Sequence, residues 1–344
     1  MKKNIYAVIL AGGAGTRFWP KSRQSCPKQF LNIIGNSSLF KQTLARIKTK
    51  IPADNVFIVA NKKYRSLIHR EVVGLKIRKE HILLEPSPKN TAPAIYWAAD
   101  RIYQENPDAV MIILPSDHYI TEIKKFLKLL DEAVLEAQQD YLVTLGIIPT
   151  RAETGYGYIK GKKIKAQGKG ILKVEKFIEK PDLIKAKQFV ENKNYYWNSG
   201  MFVFKAKVVL EAFQEYLPQI KDVKKRWNDF PSISIDYGIL EKAKNVSVIP
   251  AGNIGWSDLG SWEALMDVLP KDKEGNVIQG KNIVIDCQNT FISSDKRMIA
   301  AVGLKDIIIV EAGGAFLVCP KNKSQEVKKI ISCLSAQKSF QEYA

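Results

Sequence analysis

An α/β fold, built on a mixed, mostly parallel sheet flanked by helices and followed by a small β-rich region, is the architecture predicted by this sequence of 344 residues. Three observations carry that reading. Apolar strand-like runs alternate with amphipathic segments from Asn4 to about Ile147, a glycine-rich basic connection follows the first run, and short β-rich runs take over towards the other end.

The first run, IYAVIL, is ended by Gly12 and Gly13 and reads as a strand. It falls well short of the roughly 18 apolar residues of a membrane span, and MKKNIYAVILAGG has no signal-peptide cleavage pattern. The runs NVFIVA, HILLEP, AVMIILP and YLVTLGI follow, with the helix-like segments SSLFKQTLARIKTK, APAIYWAADRIYQE and EIKKFLKLLDEAVLEAQ among them. Strands separated by amphipathic helices imply right-handed crossovers and parallel pairing. Ligands of such sheets sit beyond the carboxyl ends of the strands, which expects the Gly12 loop, Glu85 and Asp117 along one rim. From Thr150 to about Leu269, paired short strands (GYGYIKG, GILKVEKFIEK, GMFVFKA, VSVIPA) mix with the helices DLIKAKQFVENK and SIDYGILEKA, an expected elaboration of the same sheet that closes over the rim. After the polar linker at Pro270 to Lys273 come NIVIDCQNTFISS, MIAAVG and DIIIVEAGGAFLVC, then an amphipathic helix, SQEVKKIISCLS. A domain boundary is expected near residue 271, giving a catalytic domain of residues 1–270 and a β-rich domain of residues 271–344 that ends in a helix.

Composition excludes more than it selects. The chain is 46% hydrophobic and 26% charged, an ordinary globular balance. Cys26, Cys287, Cys319 and Cys333 have no CxxC spacing, so neither a zinc site nor a disulfide framework is implied, and a reduced, cytoplasmic setting is expected. The net charge of +18 invites a nucleic-acid reading, but the lysines are dispersed (KTKIP, NKKYR, GKKIKAQGKGILK, DVKKRW) and no arginine-rich tail exists. A broadly positive surface also attracts anionic nucleotides and sugar phosphates, so no nucleic-acid partner is expected.

The connection LAGGAGTRFWPKSRQSCPKQF begins as phosphate-binding loops do, yet it is not one of the two common kinds. A Walker loop needs GxxxxGK[ST], which is absent. A dinucleotide fingerprint needs a third glycine where Phe18 stands, and Pro20 and Pro27 prevent an immediate long helix. What remains is a long, proline-stiffened basic loop. Its small residues admit backbone N–H groups to a triphosphate, and Arg17, Arg23 and Lys28 can balance the charge.

That loop, with EPSPKNTAPAI, LPSDHYI, GYGYIK, FIEKP, WNSGMFVF, SIDYGILEKA and WSDLGSW, occurs in this order over residues 10 to 262. The set closely resembles the mannose-1-phosphate guanylyltransferase (GDP-mannose pyrophosphorylase) family of the sugar-nucleotidyltransferase superfamily. GGxGTR alone indicates the superfamily; the PKQF, LPSDH and WSDLGSW versions indicate the mannose and guanine branch. Phe18 departs from a commoner leucine, and Lys21 from an apolar residue often found before Ser22. The resemblance implies a Rossmann-like nucleotidyltransferase fold and, for the β-rich region, a short left-handed β-helix. Bifunctional relatives add an isomerase domain; the sequence in hand stops before one, so that second activity is not expected.

The implied reaction joins GTP and α-D-mannose 1-phosphate to give GDP-mannose and pyrophosphate, by in-line attack on the α-phosphorus. A sugar phosphate is already nucleophilic at neutral pH, so positioning and charge neutralisation suffice, and no Ser/His/Asp arrangement is needed. The resemblance makes Asp117 and Asp258 ligands of Mg²⁺, although on their residues alone each could equally cap a nearby helix. It assigns Arg17 and Lys28 to the β- and γ-phosphates and to the leaving pyrophosphate, with Arg23 either a further loop cation or simply solvated. Leu10, Ala11, Gly12, Gly13, Gly15, Thr16, Glu85, Asn90 and Thr91 join Arg17, Lys28 and Asp117 in the nucleotide site. Lys180 should meet the sugar phosphate, while Gly157, Glu179 and Asn198 bind the sugar. His118, His69 and His81 form no ligand cluster, and Trp97, Tyr103 and Trp262 read most simply as core. The alternatives are a guanylyltransferase for another hexose or heptose 1-phosphate, a GDP-mannose-binding regulatory homologue that makes no product, and a nucleic-acid binder. No membrane partner is expected; a homodimer is the family-level expectation.

Overall fold

The computed structural model describes residues 4–13, 15–163, 170–222 and 226–343. Ala14 of the glycine loop and several lysines of the GKKIKAQGKGILK and DVKKRW stretches lie outside the described residues. Contacts divide the chain into two compact units. The first comprises residues 1–12, 43–116 and 120–256; the second comprises residues 13–42, 117–119 and 257–344.

The strands, in chain order, are β1 (Ile5–Leu10), β2 (Val56–Asn61), β3 (Ile82–Glu85), β4 (Val110–Pro115), β5 (Tyr119–Ile120), β6 (Leu142–Ile147), β7 (Tyr158–Lys162), β8 (Leu172–Ile178), β9 (Tyr195–Lys205), β10 (Val246–Pro250) and β11 (Trp256–Ser257). Six more complete the set: β12 (Val277–Gln279), β13 (Asn282–Ile285), β14 (Phe291–Ser294), β15 (Ile299–Val302), β16 (Ile307–Ala312) and β17 (Ala315–Pro320).

The first unit is organised by a nine-stranded sheet in the order β3-β2-β1-β4-β9-β6-β10-β8-β7. The apolar runs at 5–10, 56–61, 110–115 and 142–147 form β1, β2, β4 and β6, buried on both faces as continuous hydrophobic strands should be. β1 lies parallel to β2 and β4, and β2 parallel to β3, so their carboxyl ends share one edge at Leu10, Asn61, Glu85 and Pro115. The sheet is mixed as expected, but its parallel share is smaller than the early rhythm suggests. β9 runs antiparallel between β4 and β6, and β7 and β8 form an antiparallel hairpin at the far edge. The physical reason is β9 itself: its 11 residues pair with three neighbours, so the elaboration extends the main sheet from within.

Helices pack where the strands leave apolar faces. The helix α1 (Leu39–Ile47) follows Ser38, whose Oγ accepts the Lys41 N–H, and α2 (Arg65–Val72) connects β2 to β3. The helix α3 (Thr91–Glu105) buries Ala94, Ile95, Ala98, Ala99 and Ile102 against Val8, Phe57 and Met111 of the sheet. Asn90 caps it, its side-chain oxygen accepting the Thr91 N–H at 2.9 Å. Further along, α4 (Ile123–Ala137) and α6 (Ala206–Tyr216) each bury an apolar stripe, whereas α5 (Leu183–Glu191) buries only Ala186. Trp97 and Tyr103 pack partly buried on the same core.

In the second unit, β12, β14 and β16 stack in parallel and β17 adds an antiparallel edge, while β13 and β15 pair in parallel beside them. Strands returning in parallel after short turns make a coil, as a β-helix requires. Ile292, Ile299, Ala301 and Ile309 fill its interior. The opposite faces of β14, β16 and β17 present Phe291, Ile308, Val310 and Leu317 to Phe18, Trp19 and Trp262. Trp262, fully buried, belongs to the helix Trp262–Val268, whose N-cap is Ser261, with its Oγ accepting the Ala264 N–H.

Candidate functional site

Three clusters collect the candidate residues. On the first unit's rim, Leu10 ends β1 and the Ala11 N–H donates to the Val59 carbonyl at 2.8 Å, which carries the chain past β2 into Gly12. Glu85 ends β3 beside it: a Cβ added to Gly12 would stand 3.1 Å from Glu85 Oε2. Glu85 is 5% exposed and makes no hydrogen bond or ion pair among the described residues. Burial pushes its carboxyl up to about 7. Asn90 and Thr91 follow at the start of α3, where the Thr91 hydroxyl accepts the Ile235 N–H at 2.9 Å.

A second cluster, also in the first unit, surrounds Gly157. The Asn198 N–H donates to the Gly157 carbonyl at 2.8 Å, and a Cβ on Gly157 would come within 2.5 Å of Glu179 Oε2, so any larger residue would displace that carboxylate. Glu179 Oε1 pairs with the exposed Lys180 ammonium at 2.7 Å. Lys180 holds a left-handed backbone, φ 44°, a conformation that costs a non-glycine residue roughly 1–3 kcal/mol and recurs at functional sites. Asn198 Nδ2 donates to Asp236 Oδ1 at 2.6 Å. Burial, reinforced by the charge of Glu179, raises the Asp236 carboxyl against the opposing bond from Asn198. In the sequence Asp236 stands within SIDYGILEKA; an acidic residue at the mouth of a helical segment looks like a cap, and nothing local reveals its partner.

The third cluster is in the second unit. Gly15 has φ 61°, and a Cβ there would run into the Cβ and backbone nitrogen of Lys28, so the loop folds back on itself only through glycine. Lys28 is 5% exposed and directs its three donors at Asp117 Oδ2 (2.7 Å) and at the carbonyls of Asp258 (2.7 Å) and Leu259 (3.1 Å). Burial alone would raise the Asp117 carboxyl; the Lys28 ammonium and His118 outweigh it and hold it below the usual carboxylate range. Neither aspartate caps a helix, since Glu122 precedes α4 and Ser261 caps the helix after Asp258. Asp258 Oδ1 instead accepts the Gly260 N–H at 2.9 Å. Arg17 lies in the turn Thr16–Phe18, and its buried Nε has no hydrogen-bond partner among the described residues. Gln29 Nε2 donates to the Gly13 carbonyl at 2.9 Å.

Arg23, half-buried, has protein partners that the sequence reading did not foresee: its guanidinium donates to the carbonyls of Gly313 (2.7 Å) and Glu342 (2.9 Å) and lies over the Tyr343 ring. His81 is buried, stacked on Phe57 and 3.1 Å from Glu105, and His69 sits on α2. Among the described residues no group of three or more His, Cys, Asp or Glu side chains could hold a metal ion unaided. No described helix is long and apolar enough to cross a membrane.

Residues 6–275 match the model of the nucleotidyl transferase family. The chain belongs to that family. Residues 280–334 of this nucleotidyltransferase match a second model, the MannoseP isomerase/GMP-like beta-helix domain, in agreement with the coil of β12 to β17. The transferase is 40% identical to the xanthan biosynthesis protein XanB of Xanthomonas campestris, over 96% of this chain and 73% of that one. It is 38% identical to the mannose-1-phosphate guanylyltransferase of Salmonella muenchen, over 96% of this chain and 74% of the relative. Among solved structures, mannose-1-phosphate geranyltransferase from Thermus thermophilus matches with a TM-score of 0.89 at 29% identity, covering 96% of this chain and 99% of that one.

Proposed function

We propose that this nucleotidyltransferase transfers GMP from GTP to α-D-mannose 1-phosphate, releasing pyrophosphate and forming GDP-mannose. The observation that carries the guanine half is Glu85: a buried carboxylate without a partner among the described residues, next to the glycine loop, at the carboxyl ends of the parallel strands β1, β2 and β3. Guanine presents two neighbouring donors, N1–H and the 2-amino group, which a carboxylate accepts side by side; adenine presents an acceptor at N1. The mannose half rests on the ordered motifs and on the relatives' names.

In the proposed step a phosphate oxygen of the sugar phosphate attacks the α-phosphorus in line, the bond from the α-phosphorus to the bridging oxygen breaks, and pyrophosphate leaves with that electron pair. Arg17, whose Nε is buried and unsatisfied, supplies charge to the departing group. Lys28 keeps Asp117 and the carbonyls of Asp258 and Leu259 in one arrangement, so its contribution to phosphate binding comes through a donor it already shares. Lys180 moves from Glu179 to the sugar phosphate, and Gly157, Glu179 and Asn198 hold the sugar hydroxyls.

Lys28 Nζ touches both aspartates, Asp117 through Oδ2 and Asp258 through its carbonyl, and their hard carboxylate oxygens suit Mg²⁺, whose usual shell is a pair of carboxylates with substrate phosphates and waters. Bound there, the ion would neutralise phosphate charge and orient the oxygens. Pyrophosphate release measured over ATP, CTP, GTP and UTP against several sugar 1-phosphates tests the proposal. GTP with mannose 1-phosphate should turn over fastest; a faster pair would reassign the substrate, and no release with any pair would favour a binding-only homologue.

A further inference from the structure

The sugar cluster contains an acidic side chain that the proposed chemistry leaves without a task, Asp236. The inference drawn from it rests on the sugar-binding reading of Gly157, Glu179, Lys180 and Asn198. Asn198 sits in β9, held by its backbone N–H to the Gly157 carbonyl at 2.8 Å. Its side-chain amide is pinned at both ends: Oδ1 accepts the Gly200 N–H at 3.1 Å, and Nδ2 donates to Asp236 Oδ1 at 2.6 Å. An amide carries two donor hydrogens and two acceptor lone pairs, so each end keeps one to spare. Flipping it would set its oxygen against the Asp236 carboxylate and its nitrogen against the Gly200 N–H, acceptor on acceptor and donor on donor.

Asp236 is itself firmly placed. It opens the π-helical turn Asp236–Leu240, a rare local geometry that concentrates at functional positions. The residue before it, Ile235, is buried and donates its N–H to Thr91 Oγ1 at 2.9 Å, and the Ala92 N–H donates to the Ile233 carbonyl at 3.1 Å. The segment is therefore anchored to the first turn of α3. We propose that Asp236 is a positioning residue for the sugar: it locks the Asn198 amide in one orientation, so that the spare N–H and lone pair are presented to sugar hydroxyls beside Glu179. A site whose polar groups are fixed in advance discriminates hydroxyl patterns better than one that must order them on binding.

The test is steady-state kinetics of the full chain with GTP and mannose 1-phosphate. Asp236→Ala should raise the KM for the sugar phosphate about ten-fold, the scale of one charge-assisted hydrogen bond, and leave the KM for GTP within about two-fold. Asp236→Asn should restore most of the loss, because its amide oxygen can accept the same bond. In an Asn198→Ala background, Asp236→Ala should add less than about two-fold, since its partner is gone. If Asp236→Ala fails to fold, Asp236→Ser, too short to reach Asn198, carries the same expectation. Effects that multiply in the double variant, an equal rise in the KM for GTP, or an asparagine as damaging as alanine would each overturn the role. Two failures stay distinguishable. If Asn198→Ala raises the sugar-phosphate KM and Asp236→Ala does not, Asp236 alone is wrong; if Asn198→Ala and Lys180→Ala both leave it unchanged, the sugar-site reading falls.

Discussion

Replacing Glu85 by glutamine exchanges a buried, unpartnered carboxylate for a neutral amide of nearly the same shape. Its carboxyl is raised by burial from 4.5 to about 7, and at roughly 1.36 kcal/mol per pH unit that amounts to about 3 kcal/mol needed to hold the charged form in the folded chain. The sign follows from proton counting. Between 4.5 and about 7 the unfolded chain has released the proton and the folded chain has kept it, so stability falls as pH rises through that window and levels off above it. Glu85→Gln should remove this slope and be the more stable protein at alkaline pH by up to about 3 kcal/mol. Catalysis should move the opposite way. Two bonds from guanine to a carboxylate need the charged form, so the KM for GTP in the native enzyme should climb as pH drops below about 7 and be flat in the variant. With charge-assisted bonds worth roughly 1.5–3 kcal/mol each, GTP use should fall ~10- to 10³-fold on substitution, and ATP use far less. The assay is the ratio of kcat/KM for GTP over ATP in both proteins, beside denaturant unfolding across the same pH range. A ratio that does not drop would move guanine selection to backbone groups around Ala11 to Gly13.

Chelation by EDTA should abolish turnover, and Asp258→Asn should slow it by ~10²-fold or more, at roughly 1.4 kcal/mol per decade; unchanged activity of the folded variant in EDTA would remove the metal role. Arg17→Ala should chiefly lower kcat, whereas Lys180→Ala should chiefly raise the KM for sugar phosphate; if both raised only the KM for GTP, the division of roles would be wrong. Lys28→Met should cost about 3–5 kcal/mol in unfolding free energy by stranding Asp117, and adding Asp117→Asn should recover part of it; no recovery would mean that the ion pair at 2.7 Å is not what Lys28 contributes to stability.

How much of this was legible in the sequence depends on distance along the chain. β1, β2 and β4 announce themselves because strands buried on both faces are unbroken apolar runs, and Glu85 stands out as a charge at the end of one. The place of β9 does not, because an apolar run carries no record of which neighbours it pairs with or in which direction. The motif set paired Asp117 with Asp258 and Lys28 with Arg17; that Lys28 bonds Asp117 and two main-chain carbonyls instead involves contacts no local pattern shows. The Asn198–Asp236 bond spans 38 residues and the Arg23–Gly313 bond 290, and both escape any local pattern. Arg23's partners stayed hidden for that reason: beside glycines a cation suggests phosphate, and only the folded chain reveals the carbonyls it serves.

The bonds from Trp19 and Arg23 to the far part of the chain also bear on the order in which the protein becomes competent. Trp19 Nε1 donates to the Tyr343 carbonyl at 2.8 Å across 324 residues, and Arg23 reaches the Gly313 and Glu342 carbonyls. The stretch around Trp19 leaves the ribosome 324 residues before the Tyr343 carbonyl that helps to brace it. At roughly 5–20 residues per second, the loop waits on the order of 15–60 s for its partners. During that interval the sheet around β1, β2 and β4 can already be assembling from nearby segments, while the glycine loop stays unbraced. If those bonds set the loop, synonymous changes that slow decoding between residues 260 and 343 should delay the appearance of activity without altering the finished protein.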